Sequence, residues 1–302
     1  MSNRIAVLVK LHPLRIFLLV LMILLFMGMT GCIVVPDKNI TLGQSDQTDI
    51  ISVCFDNGSL QPDLGGFSAN RLHGLGTGGF NLLNWNILKG SKSGWESDFR
   101  QLSVQSDLLV IQEARLTGEM QALLQDGRYY WNLATAFEYR DVKTGVLTAS
   151  KIKAVFQCSM RVDEPLVSIP KAVLINLYPI SNSDQFLLIA NVHSVNFTLG
   201  VAQYRTQWHK LEKILSKHQG PIVLSGDFNT WNQERKAVVE SVTQRLNLKP
   251  VIFEADHRAT FFDHPVDHVY YRELKPVKAM VHKVESSDHN PMLVTFRTQY
   301  LH

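Results

Sequence analysis

PIVLSGDFNTW, residues 221–231, decides how this chain reads. An aliphatic, partly β-branched run, Ile222-Val223-Leu224, passes into Ser225-Gly226. A carboxylate and a carboxamide, Asp227 and Asn229, follow two residues apart. The first part has the composition of a buried strand bounded by turn residues. A strand that only filled a core has no use for an acid and an amide at its mouth. The stretch therefore predicts a strand that delivers polar groups to a site.

The same construction recurs along the chain. Strand-like runs lie at 80–88, 107–114, 129–139, 145–150, 171–178, 185–195, 266–274 and 291–297, each rich in β-branched or aromatic residues and bounded by Gly, Pro, Asn or Asp. Several end in polar residues: Asn84 and Asn86, Gln112-Glu113, Asn191 and His193. Asp267-His268 opens one strand, and Asp288-His289 precedes the last. Helical periodicity is confined to a few segments. Tyr204, Trp208, Leu211 and Leu215 share one face of 199–218, and Val238, Val242 and Leu246 one face of 233–247. Many strands joined by short turns, with few helices between them, predict two packed sheets, mixed or mainly antiparallel, with helices outside.

The 302 residues are 45% hydrophobic, without repeats or low-complexity tracts, which describes a folded globular protein. Residues 1–31 read as a signal peptide. Arg4, Lys10 and Arg15 precede a fourteen-residue run, Ile16–Met29, that is short of the ~20 residues a membrane-spanning helix needs. Thr30-Gly31 then lead into Cys32, and MTGC resembles a bacterial lipobox with Cys32 as the lipidated first residue. The expected location is the bacterial cell envelope, as a membrane-anchored lipoprotein; the alternative is an uncleaved N-terminal membrane anchor. Three of the basic residues behind the net charge of +3 lie in this leader, so the body is close to neutral. A neutral body lacks the broad positive field that long nucleic acid demands. Residues 32–76 read as a tether and irregular lead-in, and 77–302 as a single domain. Cys54 and Cys158 either pair or stand as free buried thiols.

Carboxylates, amides and histidines gathered at strand ends suit metal-assisted cleavage of a phosphate ester. A hard cation such as Mg²⁺ takes oxygen ligands and needs only one or two carboxylates. A carboxylate can activate water, and histidine can donate to phosphoryl oxygens near neutral pH. The chain has no serine elbow, Walker loop or zinc-hydrolase spacing.

In their order, NWNI, IQEA, NVHS, SGDFN, VDHVYY and SSDHNP resemble the endonuclease/exonuclease/phosphatase superfamily related to DNase I. NVHSVNFTLGV followed by SGDFNTW is most similar to its YafD-like bacterial branch. The resemblance spans about residues 79–297 and implies an α/β, four-layer α/β/β/α sandwich. It implies Glu113 as principal metal carboxylate, with Asn86 and Asp288 near the metal, Mg²⁺ or in its place Mn²⁺. Asp227 would activate the water with Asn229 beside it. His289 would contact the scissile phosphate or act as base, oriented by Asp267, and His193 would bind phosphate or assist the leaving group. Asn84 is either part of this group or structural. His268, alternating to the opposite face, is packing or surface, and Arg205 reads as a surface ion pair. The expected activity is metal-dependent phosphoester hydrolysis by a monomer, on nucleic acid or another phosphate ester; the alternative is a phospholipid or sphingomyelin phosphodiesterase or phosphatase at the membrane surface, and behind both stands a non-catalytic binding protein on the same fold.

Overall fold

The computed structural model describes residues 33–43, 50–51, 53–54, 60, 73–76, 78–167, 169–198 and 200–298. The leader and Cys32 lie outside them. The chain divides at Val34 into two units, and of the first only the short strand Ile33–Val34 (β1) is described.

The second unit holds all the remaining elements. Its strands are Ile40–Gly43 (β2), Ile50–Ile51 (β3), Phe80–Asn86 (β4), Leu108–Arg115 (β5), Tyr130–Tyr139 (β6), Val142–Ser150 (β7), Phe156–Val162 (β8), Lys171–Pro179 (β9) and Phe186–His193 (β10). They continue with Ile222–Asp227 (β11), Lys249–Pro250 (β12), Thr260–Phe261 (β13), His264–Pro265 (β14), Asp267–Arg272 (β15), Leu274–Val281 (β16) and Met292–Thr298 (β17). The helices are Trp95–Ser103 (α1), Gly118–Asp126 (α2), Ala202–Leu215 (α3) and Gln233–Arg245 (α4). One sheet runs β16-β17-β4-β5-β7-β6-β2-β3 and the other β12-β15-β11-β10-β9-β8. Strands β4 and β5 are parallel, as are β10 and β11; the other neighbours within the two sheets are antiparallel.

Side chains alternate across each strand, so each sheet has an inner and an outer face. Leu83, Trp85, Leu109 and Ile111 face outward into a core completed by Phe99 and Leu102 of α1 and Met120, Leu123 and Leu124 of α2. Leu188, Ala190, Ile222 and Leu224 do the same on the other side, against Tyr204, Trp208 and Leu211 of α3 and Val238 and Val242 of α4. Phe80, Leu82, Leu108, Val110, Leu187, Ile189, Val223 and Val269 fill the layer between the sheets. The result is the four-layer α/β/β/α sandwich.

The helical faces expected at 199–218 and 233–247 are those buried under α3 and α4. Part of the lead-in is more ordered than its turn-rich composition implies. Strand β2 pairs with β6, and Thr41 at its centre is buried, its hydroxyl 3.1 Å from the Ser159 hydroxyl. Cys54 and Cys158 are joined in a disulfide that ties this lead-in to β8 across a separation of 104 residues. Closing a loop of that size restricts the unfolded chain by an amount worth about 4–5 kcal/mol in the chain-entropy account.

Candidate active site

The inner faces change character along their length. On β10 the sequence of inward residues is Leu187, Ile189, Asn191, His193; on β11 it is Val223, Ser225, Asp227; on β4, Phe80, Leu82, Asn84, Asn86. Each strand is apolar at one end of the inter-sheet layer and polar at the other. Midway, a buried network joins the sheets. The Gln112 side-chain amide donates to Asn84 Oδ1 (3.1 Å) and Asn191 Oδ1 (2.8 Å), and the Ser225 hydroxyl donates to Asn84 Oδ1 (2.9 Å). Asn84 therefore belongs to this inter-sheet network beneath the mouth, and Asn191 fixes β5 and β7 through the carbonyls of Ile111 and Leu147.

At the polar end, strand register sets three groups side by side. His193 pairs with Asp227 across β10–β11, and Asp227 pairs with Asp267 across β11–β15. Cross-strand partners share a face, so all three point into the layer between the sheets. Gly226 makes the close approach of β10 and β11 possible. Its φ is +148°, and a Cβ there would sit 1.9 Å from the Val192 carbonyl oxygen.

Strand β11 stops at Asp227, and Asn229 lies beyond it in a left-handed conformation with φ 51°. Its backbone N–H donates to Asp227 Oδ1 (3.0 Å), and its side-chain amide donates to the Ser194 carbonyl (3.0 Å). The two residues thus meet through a turn and not through strand alternation. Asp227 Oδ2 accepts from the Asn86 side-chain amide at 3.1 Å and lies 3.4 Å from His193 Nε2 and 3.9 Å from His289 Nε2. Burial foremost, then the neighbouring Asp267 charge, pushes the Asp227 pKa up to about 6 against the pull of His289 and Lys171.

His289 is reached from the loop before β17. Its Nδ1 is 2.7 Å from Asp267 Oδ2, and Trp85 Nε1 donates to its carbonyl at 3.0 Å. Burial disfavours the imidazolium, but the Asp267 carboxylate and its hydrogen bond, with Asp227 and Asp288, raise the pKa to about 10. Asp288 is more than half exposed, its Oδ1 4.0 Å from His289 Nε2.

Glu113 sits where β5 slips register against β7 between Ile111 and Ala114, with φ 52°. Such a bulge re-aims a side chain at the cost of local strain. Burial would raise its pKa, yet Lys89 and Lys171 hold the carboxyl below its usual range. Lys89 forms an ion pair with Glu113 Oε2, and His193 Nε2 is 4.0 Å from Oε1.

Lys89 and Lys171 are the residues that sequence reasoning missed. Lys171 Nζ lies 3.0 Å from His193 Nε2. An ammonium only donates, so that nitrogen accepts and His193 carries its proton on Nδ1. Burial first, then the Lys171, His289 and Lys89 charges, lower the His193 pKa far below its ordinary value, and the ring is neutral. The remaining two residues flagged in the sequence lie apart from this group. His268 faces the α3–α4 side, stacked on Phe228 with ring centroids 5.2 Å apart, and Arg205 is exposed on α3.

The oxygen donors at this mouth suit a hard cation. Glu113, Asp227 and Asp288 bring carboxylates from both sides of the mouth; the Asn86 amide turns its N–H to Asp227 while its Oδ1 accepts the Leu88 N–H (3.1 Å) and keeps a second lone pair, and the Glu113 carboxylate already draws an ammonium group. Asp227, Asp267 and His289 also place ligand atoms within 4.8 Å of one another. The 2.7 Å Asp267–His289 hydrogen bond already engages a carboxylate oxygen and the imidazole Nδ1 of that group, the contact of a carboxylate–imidazole pair.

The sequence profile of the Endonuclease/Exonuclease/phosphatase family matches residues 83–289, which contain every one of these groups. A UPF0294 protein of Vibrio campbellii is 37% identical over 220 residues, covering 72% of this chain and 78% of its own. A UPF0294 protein of Yersinia pestis is 34% identical over 213 residues, covering 70% and 82%. Among solved structures, an endonuclease/exonuclease/phosphatase from Bacteroides vulgatus superposes with a TM-score of 0.57 at 16% identity, over 73% of this chain and 99% of that one. The human Nocturnin catalytic domain with bound sulfate gives a TM-score of 0.55 at 17% identity, over 74% and 96%. At such identities these structures bear on the fold alone. The chain belongs to the Endonuclease/Exonuclease/phosphatase family, a family of phosphoester hydrolases. Its relatives within that family are the UPF0294, YafD-like bacterial proteins.

Proposed function

We propose that this protein is a divalent-metal-dependent phosphoester hydrolase in which Asp227 deprotonates the attacking water. The observation that carries the reading is the setting of Asp227. It is a buried carboxylate with a pKa near 6, one oxygen pinned by the Asn229 N–H and the other turned towards Asn86, His193 and His289. A base of that strength is matched to proton transfer near neutral pH. Asn229 acts through the acid as a positioning residue.

The other groups divide the charge of the phosphate between them. His289, cationic beside Asp267, donates Nε2–H to a phosphoryl oxygen. His193 is neutral with its Nε2 lone pair on Lys171, so it orients that ammonium toward the phosphate instead of delivering a proton itself. Glu113, Asn86 and Asp288 are the residues that would hold Mg²⁺ or Mn²⁺, which when bound polarises a phosphoryl oxygen as a Lewis acid. Hydrolysis of bis-p-nitrophenyl phosphate tests the reading: turnover that needs Mg²⁺ or Mn²⁺ supports it, and turnover undiminished in EDTA rejects it.

The pH profile is set by the same two groups. kcat/KM should fall below about pH 6 as Asp227 takes up a proton, and again near pH 10 as His289 loses one. Asp267→Asn removes the carboxylate that raises the His289 pKa. The alkaline limb should therefore move down by about two units or more, a unit being ~1.4 kcal/mol of interaction. An unmoved limb would detach Asp267 from His289.

The envelope placement is part of the proposal. A disulfide at Cys54–Cys158 suits an oxidising compartment and so supports export. If Cys32 carries the lipid, Cys32→Ser abolishes fatty-acid labelling and releases the protein from membranes; unchanged fractionation would favour an uncleaved anchor.

A further inference from the structure

A cavity of about 210 Å³ opens beside the catalytic mouth, with Lys89, Glu113, Lys171 and His193 along one side. Its other walls are hydrocarbon, built from Phe137 of β6, Val146 of β7, Val167, Ile169 and Pro170 before β9, and Phe197 after β10. Phe197 is 53% exposed, whereas Val146 is fully buried. The cavity is thus contiguous with the proposed reaction centre, and its walls become apolar away from it.

Among the described residues, two further polar side chains reach these walls, and both make hydrogen bonds. Thr144 Oγ1 donates to the Val142 carbonyl at 3.4 Å. The buried Glu164 carboxylate accepts the backbone N–H groups of Asn196 and Phe197, which holds the Phe197 segment in place. Among the described residues these walls offer the edge donors and acceptors of a nucleobase few side-chain partners, and unpaired buried polar atoms are costly. A hydrocarbon group meets no such penalty. Apolar cavities of ~150 Å³ hold a benzene ring, so this one has room for a ring or a short alkyl chain.

We infer that this cavity is the subsite for the organic group esterified to the phosphate, and that the group is uncharged hydrocarbon and not a nucleobase. The inference rests on the phosphoester reading of the neighbouring residues and adds the class of ester. Phosphate sits against the lysines and His289, and the chain or ring it carries enters between Phe137, Ile169 and Phe197.

The test measures binding and needs no turnover. Methyl-, butyl- and hexylphosphonate and thymidine 5′-monophosphate are titrated calorimetrically into the full-length protein in Mg²⁺ buffer. Hexylphosphonate is expected to bind at least about tenfold more tightly than methylphosphonate, since each buried methylene contributes favourably, and more tightly than the nucleotide. Ile169→Asp places a charge in the apolar wall and should remove the chain-length gain. Phe197→Ala, at an exposed position where folding is not at stake, should reduce it. Affinity that is flat across the series, or tighter for the nucleotide, or a gain untouched in both variants, overturns the inference. Hydrolysis of bis-p-nitrophenyl phosphate is measured in parallel. Turnover with a flat series removes the hydrocarbon subsite and leaves the hydrolase; a chain-length gain without turnover does the reverse.

Discussion

Asp227→Asn is expected to lower kcat on a phosphodiester by about a thousandfold, within the ~10²–10⁴ that a positioned general base contributes. The substitution is close to isosteric, and an amide oxygen can still accept the Asn229 N–H that pins the side chain. What it removes is the ability to take up a proton. KM should change much less than kcat, because in the proposed arrangement Lys171 and His289 would still meet the phosphate. The acid limb of the pH profile should vanish with the carboxylate whose pKa near 6 creates it. A thermal midpoint near that of the parent separates lost chemistry from lost structure. A kcat within tenfold of the parent would remove Asp227 from the role of base.

Glu113→Ala is expected to be as damaging, with activity falling about a hundredfold or more, to the level seen in EDTA. Glu113 is held ionised although burial opposes it, because Lys89, Lys171 and His289 surround it with positive charge. Its backbone is bent into the left-handed region at a bulge to aim the carboxylate at the mouth. With a cation already on it, this carboxylate is where the proposed divalent ion would compete with Lys89. Calorimetric titration with Mn²⁺ should show binding in the parent and its loss in Glu113→Ala. Equal Mn²⁺ affinity in the two proteins would place the ion elsewhere.

Much of this was legible in the sequence because the inner strands carry their own signal. Leu-Ile-Asn-His on β10 and Val-Ser-Asp on β11, read at every second residue, announce a face that is buried at one end and chemical at the other. Other elements gave weaker signals. β8, FQCSMRV, alternates apolar and polar residues but has only Phe156 and Val162 as aromatic or β-branched positions, and β16 carries Lys275, Pro276 and Lys278, residues that suit a sheet edge and disguise a strand. The nine-residue helices α1 and α2 are too short to establish a period. Strand β2 is ordered by its pairing with β6 and by the nearby disulfide, both long-range effects.

The site divides in the same way. Glu113 and Asp227 stood out as polar residues at the ends of apolar strands, and His289 as one of a polar pair just before the last strand. Lys89 and Lys171 did not, because a lone lysine beside a strand end has the composition of a solvated edge. Their importance comes from what they meet beside them in their own sheets: Glu113 on β5 for one and His193 on β10 for the other. Likewise the left-handed turn at Asn229 is a property of the backbone, which the residue types of DFN do not display.

The central claim is that segments far apart in the chain close around one divalent cation held by Glu113. Diffraction from crystals grown with Mn²⁺, at a wavelength that brings out the metal's anomalous scattering, tests it most directly. One strong peak is expected in inner-sphere contact with the Glu113 carboxylate, with the Lys89 ammonium displaced from it and the Asp267–His289 hydrogen bond intact. A peak centred on Asp227, Asp267 and His289, or Lys89 still seated on Glu113 with no peak beside it, would contradict that claim.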